Sequence, residues 1–205
     1  MNNCEEFTCP SLDVPLSDLK EALRCVVYTI LFNRAIGGNR AVEPITVKSP
    51  QFDVAYAKIE SAEVDAQVEA QIKSLAETAE AAAGTALTLV LAFYLESPTE
   101  AGLLWQVLSG RRSERTYFER WKIPVNLQTS RPSSPREADF AVKHSSSMVK
   151  NAVWFVLRKV CEKMDHLPSS SPTPIYPVEI YVDKFREAWS PRSLASSIKS
   201  IPFLT

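Results

Sequence analysis

The sequence predicts an α+β domain in which a mixed, mostly antiparallel sheet carries about three helices on one face. Three segments repeat apolar residues at the spacing of amphipathic helices, and five others have the alternation or composition of strands. They follow one another as helix, two strands, helix, two strands, long helix and strand. With 205 residues, the chain is long enough to bury one sizeable core.

The first helix begins at SDLKE, where Ser17 or Asp18 can cap it and Glu21 completes a capping box with Asp18. Gly37 and Gly38 end it, since glycine accepts the left-handed conformation that closes a helix. Its apolar residues recur every three or four positions and predict one buried stripe, which consists of Leu19, Leu23, Val26, Val27, Ile30 and Leu31.

Two short strands are predicted next, at 45–48 and 52–59, separated by a Ser-Pro pair. In the second of them Phe52, Val54 and Tyr56 alternate, as in a half-buried strand. A second helix is predicted over about 61–83. Its inner face is formed by Val64, Val68, Ile72 and Leu75.

The run TALTLVLAFYLES is apolar on both faces and predicts a central strand. The segment ERWKIPVNLQ alternates, and Pro124 within it cannot donate to a ladder, which predicts an edge strand or a bulge at that position. The residues that point to one side of this strand are Trp121, Ile123, Val125 and Leu127.

A long third helix is predicted over about 137–166, between two loops at 129–136 and 167–174 that have the composition of flexible connections. Ser133 and Ser134, in the first loop, are open candidates for phosphorylation. The helix is apolar on more than one side, so it has either a second cover or a partner. One side holds Val149, Ala152, Val153, Val156, Val160 and Met164, and another holds Trp154, Leu157 and Cys161. The segment IYPVEIYV then predicts the last strand.

The connection GLLWQVLSGRR between the fourth and fifth strand segments has an unusual composition. Connections run over the surface and are mostly polar, whereas this one contains Leu103, Leu104, Trp105, Val107 and Leu108. Two interpretations stay open from the residues alone. The segment either covers the core of its own domain, or it exposes an apolar binding device.

The overall charge of −1 does not indicate a nucleic-acid or membrane partner, although residues 1–108 hold 7 basic and 15 acidic residues and residues 109–205 hold 16 and 9. This split indicates either an acidic and a basic half that fold together or a partner of complementary charge, and the first explanation is favoured. The segment RRSERTYFERWK has five basic residues, and its Arg111 and Arg112 form a candidate basic rim for weak contact with acidic protein or a membrane surface. The longest apolar run, at 86–95, is far shorter than the roughly 20 residues that span a bilayer.

The sequence contains no GxGxxG, GxxxxGK[ST], HExxH or GxSxG motif and no paired zinc-type cysteines, so no cofactor or metal is expected. Cys25 and Cys161 fall in helical patterns and are predicted to be buried, where a thiol is inert. We expect His166 to be a favourable charge at a helix end rather than a general base. A cysteine-dependent conjugating enzyme therefore remains a weaker alternative. The four cysteines and the polar N-terminus favour a reduced environment, either cytoplasmic or nuclear.

Five motifs in order resemble the HORMA-domain family over about residues 1–182, leaving 183–205 as an unmatched tail. LKEALRCVVYTILFNRAIGG resembles the family's first helix, with Asn33 where a His is usual. FDVAYAKIES and LTLVLAFYLES follow. TYFERWKIPVNL is similar to the family's aromatic-Glu-x-Trp strand, and CEKMDHLPSSSPTPIYPVEI to an ending with His-x-Pro and Tyr-Pro.

Within that family the motifs are most similar to members that act in autophagy, and this resemblance implies a non-enzymatic adaptor subunit of the autophagy-initiation kinase complex. Such members pair with and stabilise the HORMA domain of autophagy-related protein 13, and they gather at the phagophore assembly site on induction. The long third helix dominates the pairing, which on this chain implies a heterodimer surface that includes Val149, Val153, Trp154, Val156, Leu157 and Val160.

The resemblance also implies that a protruding loop, here 97–116, recruits downstream autophagy factors through an exposed Trp. Trp105 matches that residue, and Leu104, Val107 and Leu108 flank it. The family's Phe is absent, because Gln106 follows Trp105 directly. Whether Val107 or Leu108 takes its role stays open. A HORMA adaptor of the chromosome or checkpoint type is a further alternative, although 167–205 is short for clasping a peptide.

Overall fold

The computed structural model describes residues 4–35, 43–81, 87–98, 113–128, 133–168 and 176–184. Three helices and seven strands are assigned within these ranges. In chain order they are β1 (Glu5–Thr8), β2 (Leu12–Val14), α1 (Leu16–Ala35), β3 (Pro44–Ser49), β4 (Val54–Ile59), α2 (Ala62–Ala81), β5 (Leu87–Pro98), β6 (Ser113–Leu127), α3 (Pro135–Glu162) and β7 (Val178–Lys184).

The main sheet has the strand order β1-β6-β5-β7, with β2 pairing with β6 next to β1. β5 runs antiparallel to both β6 and β7, whereas β1 and β2 run parallel to β6. β3 and β4 form a separate antiparallel hairpin. The predicted α+β class with a mixed, mostly antiparallel sheet is therefore confirmed, and the architecture is consistent with a HORMA-like fold.

α1 lies at the centre of the core, because β4, α2 and α3 all pack against it on the inner face of the sheet. The six residues of its predicted stripe are at most 1% exposed. Burying an aliphatic side chain of this size contributes about 1.5–3 kcal/mol, so this stripe is a major source of stability. Arg24 also joins α1 to α2 through a two-pronged contact with Glu69, with N–O distances of 2.8 and 2.6 Å. None of the described helices is long and apolar enough to cross a bilayer.

The prediction that Pro124 marks an edge strand or a bulge was wrong, because β6 is a central strand of the sheet. The irregularity in its ladder with β5 lies between Phe93 and Tyr94, away from Pro124. On its other side, β1 pairs only as far as Lys122 and β2 pairs only from Val125. The backbone groups of Lys122 face β1, and so do those of every second residue along the strand. The nitrogen of Pro124 therefore faces the gap between β1 and β2, where no ladder bond is needed.

The central hairpin of the sheet is longer than predicted, because β6 begins at Ser113 and not near Glu119. β5 and β6 pair out to Pro98 and Ser113, so both strands extend into the predicted loop 97–116. The segment that joins them, 99–112, lies outside the described residues. At the other end of the domain, β7 extends to Lys184, two residues past the predicted boundary, and 185–205 is outside the description as well.

Candidate functional site

The outer side of α3 is the most apolar exposed helical surface in the described part of the chain. Trp154 lies near the middle of this helix with 70% of its surface exposed. Phe140, 72% exposed, precedes it by fourteen residues, or close to four helical turns. Both side chains therefore leave α3 on the same side, roughly 21 Å apart along the axis. We call the surface formed by Phe140, Trp154, Leu157 and Arg158 the outer α3 face.

The two charged side chains one turn before and after Trp154 are both cations. Lys150 Nζ lies 3.0 Å from an oxygen of Asp53, and Arg158 Nε lies 3.7 Å from an oxygen of Glu162. Exposed ion pairs of this kind contribute at most about 1 kcal/mol. Both cations are therefore able to turn to carboxylates of a partner at little cost, while an exposed Trp supplies apolar contact area.

The structure divides the six residues predicted for the heterodimer surface into two groups. Trp154 is exposed and Leu157 is partly buried, so both are accessible from outside. The other four are at most 8% exposed and belong to the core of this chain: Val149, Val153, Val156 and Val160. Their spacing of four, three and four positions is that of one helix face, which packs against α1 and β2.

α3 begins earlier and ends earlier than predicted, and this changes the role of residues at both ends. Ser134 caps the N-terminus by accepting a hydrogen bond from the backbone N–H of Glu137, 3.3 Å away, and Ser133 Oγ donates to the Glu137 carboxylate at 2.6 Å. At the other end the helix stops at Glu162, so the prediction that Met164 belongs to an apolar side of the helix was wrong; Met164 lies beyond it and is 59% exposed.

The Trp105 loop cannot be compared with the structure, since Leu104, Trp105, Val107, Leu108, Arg111 and Arg112 lie outside the described residues. The other three basic residues of the segment RRSERTYFERWK are described, and each contacts a carboxylate of this chain. Arg115 pairs with Glu96 and Glu179 and stacks on Tyr94 at 4.6 Å, while Arg120 and Lys122 both pair with Glu6 at 2.6 Å. These three cations stabilise the outer face of the sheet.

A buried charged cluster, which we call the Glu119 cluster, joins four residues from three parts of the chain: Arg34 of α1, Glu119 and Trp121 of β6, and His166 after α3. Glu119 is 0% exposed, and its Oε1 accepts hydrogen bonds from Arg34 Nε at 2.7 Å and from Trp121 Nε1. Its Oε2 lies 2.6 Å from His166 Nε2. The ring of Phe7 packs on Trp121 with the centroids 4.5 Å apart. The carboxylate of Glu119 in β6 is thus paired with Arg34 at the end of α1 and fully hydrogen-bonded, as a buried charge requires.

His166 was expected to act as a charge at a helix end, and this expectation was wrong. α3 ends at Glu162, and His166 lies four residues later with its side chain 16% exposed against Glu119. Glu119 itself was overlooked. The alternation that places Trp121 and Ile123 inward also places Glu119 inward, so extending the strand pattern by two residues reveals a buried acid.

The cysteines do not form a nucleophilic site in the described structure. Burial raises the pKa of the Cys9 thiol to about 12, and burial is also the main reason that the pKa of Cys25 is raised to about 12. Cys161 is exposed, so its predicted burial was wrong. Its position on α3, seven residues after Trp154, places it on the outer side of the helix. Within the described ranges, no three His, Cys, Asp or Glu side chains are arranged to hold a metal ion.

These positions predict a clear order of thiol reactivity in the folded protein. With an aromatic disulfide reagent at pH 8, Cys161 is expected to react within minutes, whereas Cys9 and Cys25 react only after unfolding. The reason is that the thiolate is the reactive species and buried thiols with a raised pKa ionise very little. Mass spectrometry of tryptic peptides identifies the modified residue. Fast labelling of Cys25 in the native state would instead support a reactive thiol in the core.

Two comparisons with known proteins cover most of the chain. A sequence model of the family described as "Autophagy-related protein 101" matches residues 11–173. A protein of Arabidopsis thaliana named "Autophagy-related protein 101" is 25% identical over 197 residues, which cover 88% of this chain and 87% of that relative. The matched range includes all of α3 and therefore the outer α3 face. It also includes the four residues of the Glu119 cluster.

Proposed function

The chain belongs to the autophagy-related protein 101 family, and on that premise we propose that it is a non-enzymatic adaptor subunit of the autophagy-initiation kinase complex. It pairs with the HORMA domain of autophagy-related protein 13 and stabilises it. The loop around Trp105 recruits downstream autophagy factors. The protein acts in the cytoplasm and gathers at the phagophore assembly site on induction.

The observation that carries the pairing is the exposure of Trp154 in the middle of a helix whose opposite side is core. Because 70% of Trp154 is exposed to water, burying it in an interface would contribute favourable free energy to binding. Trp is also enriched among the residues that dominate the binding energy of interfaces. The proposed contact surface is therefore the outer α3 face, while the four core valines support the helix from beneath.

The charges around Trp154 indicate what the partner surface contains. Lys150 and Arg158 flank the indole, and within the described ranges both are paired only with exposed carboxylates. A complementary partner offers an apolar pocket for the indole with carboxylates at its rim. An adaptor role without catalysis agrees with the buried thiols of Cys9 and Cys25, whose pKa values are raised.

The pairing is tested by co-expressing the chain with the HORMA domain of autophagy-related protein 13. We expect one species with a 1:1 mass by size-exclusion chromatography with light scattering. Separate elution of the two chains at micromolar concentration would contradict the pairing. A pull-down from starved cells then examines membership of the kinase complex without assuming a contact surface.

A second prediction separates the Trp105 loop from the heterodimer surface. Trp105→Ala is expected to leave the melting temperature and the 1:1 complex unchanged while it abolishes capture of downstream autophagy factors in the starved-cell pull-down. The reason is that removing a Trp anchor from an interface costs about 2 kcal/mol or more. Gln106→Ala, next to it, is the matched control. A large fall in melting temperature for Trp105→Ala would place Trp105 in the domain's own core instead.

A further inference from the structure

In the described residues, the segment that follows α3 is attached to the sheet by a buried polar contact of His166 and by an ion pair between Lys163 and Glu5 at 3.4 Å. After Glu162 the chain runs across β1 and β6, and the ring of His166 lies 6.0 Å from that of Phe7. His166 Nε2 contacts Glu119 Oε2 at 2.6 Å. A contact between an ionised carboxylate and a ring nitrogen in a buried site is stronger than a neutral hydrogen bond. His166 therefore connects residues 163–168 to the centre of the sheet.

This contact also reaches β7, because the two chain segments are joined to each other. Tyr176, just before β7, donates its hydroxyl hydrogen to the backbone carbonyl of Pro168 at 2.7 Å. Tyr176 is itself 2% exposed and packs edge-on against Phe118 of β6. Whatever holds Pro168 in place thus also holds the entry to β7.

β7 lies at an edge of the sheet and, within the described residues, pairs with β5 alone. The residue before it, Pro177, also accepts a backbone hydrogen bond from Tyr94 at 3.0 Å. The first residue of β7 is contacted by Gln67 of α2, whose amide nitrogen donates to the carbonyl of Val178 at 3.2 Å. Edge strands with one neighbour open more easily than central strands, because fewer buried contacts resist the opening.

The charges in the cluster make the His166 contact separable from the rest of the core. Arg34 already provides a cation for Glu119, with Nε 2.7 Å from Oε1 and a guanidinium that is 1% exposed. Removing the imidazole therefore leaves no buried carboxylate without a counter-charge. Removing Glu119 or Arg34, in contrast, leaves an uncompensated charge in the core.

We propose that His166 is a latch, a positioning residue that holds the entry to β7 against the sheet through Glu119. When the latch is removed, β7 opens as a local unit, and α1, β5 and β6 stay folded. The opening uncovers the edge of β5 from Leu87 to Phe93, which β7 covers in the closed state.

The latch is tested by hydrogen exchange measured on peptides of the full chain. In His166→Ala, the amides of 178–184 are expected to exchange on the order of 10- to 100-fold faster, since a hydrogen bond to a charged group is lost. Exchange of 178–184 is expected to depend only weakly on urea, since only β7 opens, whereas the amides of α1 and β6 keep the strong urea dependence of global unfolding. His144→Ala changes the chain's other histidine and is the matched control.

His166→Gln distinguishes the latch from simple packing, because a Gln amide N–H can still donate to Glu119. We expect this variant to restore most of the protection of β7. Three results would overturn the latch: unchanged exchange in 178–184 of His166→Ala, exchange of 178–184 with the same urea dependence as α1 and β6, or a Gln variant that exchanges as fast as the Ala variant.

Discussion

Replacing Glu119 by Ala is expected to lower the free energy of unfolding by about 3–5 kcal/mol. Arg34 is 1% exposed, and its Nη1 and Nη2 already lack hydrogen-bond partners in the described part of the chain. Without the carboxylate, a whole guanidinium is buried uncompensated, and Trp121 Nε1 and His166 Nε2 lose their acceptors. Domains of this kind have a total stability of only about 5–15 kcal/mol, so the variant is expected to be near the limit of folding.

Urea unfolding followed by Trp fluorescence measures this loss. Two further variants show whether the loss comes from the buried, uncompensated charge. Glu96→Ala removes an exposed carboxylate 3.5 Å from Arg115 and is expected to cost at most about 1 kcal/mol. The double variant Arg34→Met, Glu119→Leu removes both buried charges and is expected to recover part of the stability lost in Glu119→Ala. A Glu119→Ala variant no less stable than Glu96→Ala would mean that water reaches the cluster.

The helices and the longest strands were predictable because their signals are local. The stripe of α1 and the inner face of α2 each repeat over more than three turns, so burial of one face follows from spacing alone. β1 and β2 span four and three residues, too few to establish an alternation. They are strands because they lie beside β6, more than a hundred residues later in the chain. Pairing at that distance has no local signature.

The charge asymmetry of the chain is matched in part by contacts within the fold. Glu6 pairs with Arg120 and Lys122, Asp53 pairs with Lys150, and Glu5 pairs with Lys163. In each pair an acidic residue of the first half meets a basic residue of the second half. The prediction that the two halves fold together is therefore supported by these contacts, and the asymmetry by itself does not require a charged partner.

The outer α3 face was only partly predictable, for a geometric reason. Val153 and Trp154 are adjacent in sequence but about 100° apart around the helix, so one faces the core and the other does not. The apolar composition of α3 indicated two faces. Which of them meets α1 depends on the packing of three helices and a sheet, and this packing leaves Trp154 outside.

Trp154→Glu is expected to weaken the proposed heterodimer by at least about 30-fold, which corresponds to a loss of about 2 kcal/mol. The substitution removes the largest apolar group of the outer α3 face and introduces a carboxylate where we expect carboxylates on the partner. Because Trp154 is 70% exposed, the melting temperature of the isolated chain is expected to stay within about 2 °C of wild type. Isothermal titration calorimetry against the partner HORMA domain measures the affinity.

Matched variants on the same helix separate binding from folding. Arg158→Glu, one turn after Trp154, is expected to weaken binding more at low than at high salt, since screening reduces the repulsion it creates. Val153→Glu changes the neighbouring residue, which is 8% exposed, and is expected to unfold the chain because it buries an unpaired charge. Unchanged affinity for both Trp154→Glu and Arg158→Glu would place the partner on another surface. Unfolding of Trp154→Glu would mean that the indole covers the core of its own chain.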